Sequence, residues 1–253
     1  MSSSLEVLFT PAEFAALKGR PLGQAVCVVF DVLRATSTMV TALGNGAAAI
    51  VPVEEIAEAL SYRQAHPEVL LAGERDGVRI EASLTGSIAF DLGNSPREFV
   101  RQTVEGRTIV MTTTNGTRGL RACAHAQAVL AGSFLNLRAT AQFVERAQPA
   151  ELLLVCGGTY EQAAYEDVLC AGALCGMVWH KYAGGAVADS ALMARRLFDL
   201  GRADLAGTLA QSRNGRRLLS RPELRADVAV CAQRNICDLV ARLGPDGLIR
   251  KAG

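Results

Sequence analysis

Three places in this 253-residue chain gather side chains able to handle an anion, and each follows a short apolar run. The first is Asp31-Val32-Leu33-Arg34-Ala35-Thr36-Ser37-Thr38, after Val26-Cys27-Val28-Val29-Phe30. A carboxylate, a guanidinium and three hydroxyls follow one another there. The second is Thr112-Thr113-Thr114-Asn115-Gly116-Thr117-Arg118, after Ile109-Val110-Met111. Hydroxyl, amide and Arg donors ahead of a helix suit a phosphate or comparable oxyanion. The third is Gly157-Gly158-Thr159, after Leu154-Val155-Cys156, with Tyr165-Glu166-Asp167 opening the helix beyond it. Acids in a first helical turn act as caps as readily as ligands. Here the helix continues through Ala171, Gly172, Ala173, Cys175 and Gly176, small residues that point to an interior element. Acids at the lip of an interior helix are costly, and a hard cation offsets that cost.

Each place alone admits a plainer reading as a local cap or turn, and Asp31 could simply pair with Arg34. Together they describe phosphoryl-transfer chemistry: carboxylates, a divalent cation and oxyanion donors. Asp31, Glu166 and Asp167 are the expected catalytic residues and the expected Mg²⁺ ligands. Arg34, Thr36, Ser37, Thr113, Thr114, Asn115, Thr117 and Arg118 are the expected substrate-binding residues, with Asn94 from the turn Phe90-Asp91-Leu92-Gly93-Asn94-Ser95-Pro96. Arg34 and the following helix N-terminus are expected to keep Asp31 ionised. If neither Arg34 nor Arg118 takes the anion, the arginines after position 190, among them Arg213, Arg216 and Arg217, are the next source. A haloacid-dehalogenase-type site would want a second Asp where Leu33 stands, so attack by a metal-positioned water is favoured over an aspartyl intermediate. No Walker loop, dinucleotide fingerprint or G-x-S-x-G occurs.

The elements that must position these residues alternate. Strands are expected at 5–9, 26–30, 48–53, 69–72, 107–111, 128–131, 152–156 and, late in the chain, 227–231. Helices are expected at 11–18, 36–43, 54–65, 96–101, 117–124, 135–147 and 161–182, then in an Arg-rich segment from about 190. A last helix and a polar tail after Gly244 close the chain. Such alternation implies an α/β fold, a three-layer α/β/α sandwich around a largely parallel sheet with room for mixed strands. The segment 73–95 is polar and Gly-rich and reads as a functional excursion loop or small hairpin. No linker or internal repeat divides the chain, so residues 1–253 form one expected domain.

Half the residues are hydrophobic, enough for a sizeable core, and the formal charge of +1 argues against nucleic acid as a partner. The start M-S-S-S-L-E-V-L-F-T-P has no basic segment followed by an apolar one, so no signal peptide is expected. Seven cysteines in apolar surroundings, without C-x-x-C, fit free thiols in a reducing cytoplasm. The expected partners are a small anionic phosphorylated substrate and, in a homo-oligomer, other copies of the chain; a membrane is not expected.

D-V-L-R-A-T-S-T, G-E-R at 73–75, F-D-L-G-N-S-P, T-T-T-N-G-T-R, G-S-F-L-N at 132–136 and Y-E-D-V-L-C-A-G resemble, in order, the 2-phosphosulfolactate phosphatase family. A weaker echo follows in S-R-N-G-R-R-L at 212–218 and D-V-A-V-C at 227–231. The chain departs from the family pattern at Asn235 and Leu243-Gly244. The resemblance implies an α/β/α fold and a Mg²⁺-dependent hydrolase that converts 2-phospho-3-sulfolactate to 3-sulfolactate, a step toward coenzyme M. The alternatives are a phosphatase for another small phosphorylated acid, a silent binding protein for a small anionic metabolite, or a structural or regulatory oligomer.

Overall fold

In β-strands successive side chains face opposite ways, so a run apolar at every position must be covered on both sides. The computed structural model shows this for residues 25–30, where every residue is buried. Val26, Val28 and Phe30 join one core, with the 137–147, 165–182 and 189–201 helices. Ala25, Cys27 and Val29 join another, with the 35–44 and 116–122 helices. The structure describes residues 3–17 and 19–252. Lys18, the expected end of the first helix, Met1 and Ser2 of the start, and Gly253 lie outside the described residues.

The strands among these residues are β1 (Ser4–Leu8), β2 (Ala25–Phe30), β3 (Ala49–Val53), β4 (Leu70–Arg75), β5 (Val78–Arg79), β6 (Thr108–Thr112), β7 (Ala128–Gly132), β8 (Glu151–Cys156), β9 (Ala186–Val187), β10 (Val240–Leu243) and β11 (Ile249–Ala252). They form one large, mostly parallel mixed sheet in the order β5-β4-β6-β3-β11-β10-β7-β2-β8-β1-β9. β4, β6 and β3 run parallel to one another, as do β7, β2, β8, β1 and β9. Between the two groups lie the antiparallel β10 and β11. The segments that follow β2 and β6 nevertheless touch. Gly116, just beyond β6, lies so close to Asp31, just beyond β2, that a Cβ there would sit 2.9 Å from the Asp31 carboxylate. No helix among the described residues is long and apolar enough to cross a membrane.

Two expectations for the C-terminal segment are corrected. Residues 226–231 form a helix (Ala226–Cys231) rather than a strand, burying Asp227, Val228 and Cys231 on one face. A short apolar run has no decisive period, and the i, i+1, i+4 burial is helical. The expected last helix and polar tail are instead β10 and β11. Pro245-Asp246-Gly247 turns between them, with Gly247 at φ 79°. Likewise the 161–182 helix begins only at Tyr165, because Tyr160 and Glu161 adopt left-handed φ of 50° and 59°. The excursion is a hairpin, β4 to β5, whose turn residues Asp76 and Gly77 have φ of 56° and 78°. Positive φ at both central positions matches the twist of the flanking strands.

Candidate active site

Asp31 lies just beyond β2 and is only 8% exposed. Its Oδ1 accepts the Ala35 N–H at 3.2 Å, at the start of the 35–44 helix. Thr36 and Ser37 serve the turn itself. Thr36 Oγ1 accepts the Asp31 N–H and donates to the Asp31 carbonyl, both at 3.0 Å, while Ser37 Oγ donates to the Val32 carbonyl at 2.9 Å. Gly116 and Gly157 bring two further loops against Asp31, and a Cβ at Gly157 would lie 3.1 Å from the Asp31 Cβ. Small residues are required there by close approach, not by turn geometry.

Three more carboxylates surround this point. Glu166 Oε1 accepts from Asn214 Nδ2 at 2.6 Å. Asp167 accepts two backbone amides, Val32 N–H at 2.8 Å and Gly158 N–H at 3.0 Å, and so fastens the loops after β2 and β8 together. Glu74, at the end of β4, accepts the Thr114 N–H at 3.0 Å, the Thr114 hydroxyl at 2.8 Å and the Gly77 N–H at 2.6 Å. Burial pushes the Asp31 carboxyl up to about 7, aided by the charges of Glu74 and Glu166 and opposed by the Ala35 and Gly116 amides. Burial likewise raises Glu166 against the Asn214 hydrogen bond. It raises Asp167 together with the Glu166 and Asp31 charges, against the Val32 and Gly158 amides.

The expectation that Arg34 keeps Asp31 ionised is therefore overturned. Arg34 turns away: its Nη1 donates to Asp227 Oδ2 at 2.7 Å and its Nη2 to the Gly77 carbonyl at 2.8 Å. Without that counter-charge, desolvation decides the protonation of Asp31.

A cleft opens over Asp31. Of the expected substrate-binding residues, Arg34, Asn94, Thr114 and Asn115 line it. Asn94 Oδ1 is buried without a protein partner and so is free to meet a donor from a ligand or water. Thr113 Oγ1 is also buried and partnerless, but Thr113 does not line the cleft among the described residues. Thr117 Oγ1 donates to the Thr113 carbonyl at 3.2 Å. Arg118 is not brought to the cleft; it pairs with Glu161 at 2.7 Å over a separate surface depression. Glu74 and Asn214 line the cleft and were missing from the expected site, while Arg217 comes from the arginines named as the next source of anion contacts. Two signals pointed to them: Glu74 follows a buried strand as Asp31 does, and Asn214 and Arg217 lie within S-R-N-G-R-R-L.

The expected three-carboxylate metal site is not assembled. Among the described residues no group of three or more His, Cys, Asp or Glu side chains is arranged to hold a metal ion. The reason is visible in Asp167, whose two oxygens face backbone amides, and in Glu166, which is held by Asn214. Among the lining residues the buried carboxylates that could hold a hard cation are Asp31 and Glu74. Both already accept hydrogen bonds, Glu74 at both oxygens, so a cation there would share or displace those donors.

This cluster links stability to pH. Groups raised in the fold contribute stability below their unfolded values, and it is lost as pH rises through the folded value. For Asp31 that window runs from its ordinary value of 3.8 to about 7. Metal-free protein is expected to melt at lower temperature at pH 8 than at pH 5, and Mg²⁺ to raise the melting temperature more at pH 8. Thermal melts at both pH values, with and without Mg²⁺, check this; an equal Mg²⁺ effect at both would contradict it.

An α/β sheet whose strand ends converge on buried acids and oxyanion donors defines an enzyme of phosphate-ester chemistry. The profile of the family described as 2-phosphosulpholactate phosphatase matches residues 15–245, and the chain belongs to this family of phosphoric monoester hydrolases. A probable 2-phosphosulfolactate phosphatase of Pseudothermotoga lettingae is 36% identical over 98% of this chain and 99% of its own length. One of Thermotoga petrophila is 37% identical over 88% of this chain and 91% of its own. One of Caldicellulosiruptor saccharolyticus is 43% identical over 60% of this chain, which there spans 61% of the relative's length.

Proposed function

We propose that this protein hydrolyses 2-phospho-3-sulfolactate to 3-sulfolactate and phosphate in a Mg²⁺-dependent reaction in the cytoplasm, a step of the coenzyme M type. The observation that carries the reading is Asp31: a buried carboxyl, raised to about 7, on the wall of a polar cleft in a member of this family. Seven free cysteines fit the reducing compartment.

A group titrating near neutrality is matched to proton transfer at neutral pH. In the proposed reaction a water oxygen attacks phosphorus in line with the ester oxygen. Asp31 takes the proton of that water as the new bond forms. The phosphorus–oxygen ester bond breaks, and the sulfolactate oxygen is reprotonated from solvent. Asn115 and Asn94 offer side-chain amide donors to the phosphoryl oxygens, while the Thr114 hydroxyl donates to Glu74. Asp167 fixes the loops that carry Asp31 and Gly158 and acts as a positioning residue. Asn214 orients Glu166, whose charge helps keep Asp31 basic. Held at Glu74, Mg²⁺ would neutralise charge on the phosphoryl oxygens and leave Asp31 to act as the base.

The test is phosphate release from a panel of phosphorylated small acids in metal-free buffer, with Mg²⁺ or with excess chelator. Turnover is expected to vanish in chelator and to return with Mg²⁺, with 2-phospho-3-sulfolactate the preferred member. Undiminished turnover in chelator would overturn the metal part. Preference for another acid would move the substrate assignment and leave the phosphatase standing.

A further inference from the structure

The two arginines of the cleft wall are held very differently. Arg34 is fixed by a buried carboxylate and a carbonyl, as described. Arg217, on the Arg213–Leu219 helix, meets Tyr160 Oη at 3.2 Å and Asp76 Oδ1 at 3.3 Å. The Arg217 side chain is 31% exposed and that of Asp76 80%. Such a long, solvated ion pair is weakly held, so an arriving anion can take the place of Asp76. Both partners carry left-handed backbone, Asp76 at φ 56° and Tyr160 at φ 50°. Non-glycine residues seldom adopt that conformation, and where they do they gather at ligand sites.

Asn214 and Arg217 stand three residues apart on one helix and both line the cleft. Residues at that spacing share a helix face, about 5–6 Å apart. Asn214 holds the Glu166 carboxylate, while Arg217 reaches the rim. One helix turn thus separates the amide that holds Glu166 from the guanidinium on the cleft wall.

We infer that Arg217 is a specificity-determining residue that grips the second anionic group of the substrate, a sulfonate or carboxylate, while the phosphate sits at Asp31. The inference rests on the phosphatase reading above and deepens it. A guanidinium donates two parallel hydrogen bonds to a planar or trigonal oxyanion face, which a point charge does not reproduce. The Tyr160 hydroxyl adds a third donor. Arg34 is committed to Asp227 and the Gly77 carbonyl, so Arg217 is the guanidinium of this wall whose carboxylate partner is solvent-exposed.

The experiment compares wild type, Arg217→Ala and Arg217→Lys, with Mg²⁺, on 2-phospho-3-sulfolactate and on glycerol 2-phosphate, which lacks a second anion. For Arg217→Ala the KM for the sulfonated substrate is expected to rise at least about tenfold, more than kcat falls, as for one lost charge-assisted contact. The ratio of kcat/KM between the two substrates falls by a similar factor, and Lys restores part of it. A structural arginine would lower both substrates alike, and an unchanged ratio overturns the inference. Calorimetric titration with 3-sulfolactate needs no turnover. Equal binding by wild type and Arg217→Ala overturns the inference even where phosphate release is intact. Selective loss of binding in the variant, with no phosphate release by wild type, keeps Arg217 in this role and removes the phosphatase reading. A wild type that neither binds nor hydrolyses overturns both.

Discussion

Asp31→Asn is expected to lose at least about 100-fold in kcat, on the scale of general acid–base catalysis, and to melt higher than wild type in metal-free buffer at pH 8. The two effects have one cause. The amide keeps the shape of the side chain and an oxygen to accept the Ala35 N–H. It removes the charge that burial, Glu74 and Glu166 disfavour. At pH 8 the wild-type carboxyl is ionised and the fold bears that cost, whereas the variant does not. The gain should shrink as pH falls from 8 toward 4, where the wild-type group is protonated in the fold. Steady-state kinetics and melts over this range check both halves. A kcat within about threefold of wild type would remove Asp31 from the chemistry. Lost activity together with lost stability at pH 8 would make it a structural residue. Single turnover in labelled water adds the route: direct attack puts the label in released phosphate, while a phospho-enzyme trapped on Asp31 would replace water attack by a covalent path.

The parts of this site that the sequence makes legible are those written in local order. A buried strand followed by an acid, or by hydroxyls and a glycine, shows itself in a few consecutive residues, and β2, β6 and β8 are recognisable in that way. Which neighbour a charge chooses is not local. Arg34 lies three residues from Asp31 in the chain and yet pairs with Asp227, across 193 positions. Arg118 sits in a run of oxyanion donors and faces Glu161 instead. The position of β10 and β11 in the middle of the sheet is also beyond local reading, because a hairpin's turn residues announce the turn but not the strands that will flank it. Glu74 is the intermediate case. Its place after Leu70-Leu71-Ala72-Gly73 marks a strand end, but only the folded chain shows it accepting from both Gly77 and Thr114.

Arg34→Ala is expected to cost about 3 kcal/mol of folding stability, the lower end for breaking a buried ion pair, and to lower the melting temperature by roughly 6–12 °C. The side chains of Arg34 and Asp227 are 3% and 0% exposed. Truncation leaves the Asp227 charge buried without its closest-held guanidinium and the Gly77 carbonyl without its donor. Ser95 Oγ at 2.7 Å and Arg97 Nε at 2.8 Å still donate to Asp227. They keep the loss from the upper end of the range, though the Arg97 side chain is 41% exposed and screened. Because Arg34 joins the 226–231 helix to the hairpin turn at Gly77, activity should fall through loosening of the cleft wall. Adding Asp227→Asn removes the orphaned charge and should recover part of the stability, as expected when the penalty is an unpaired buried ion. Urea melts of the two single variants and the double variant measure the coupling. If Arg34→Ala melts like wild type while the KM for the phosphorylated acid rises, the guanidinium is a substrate contact after all and the ion pair with Asp227 does not hold the wall.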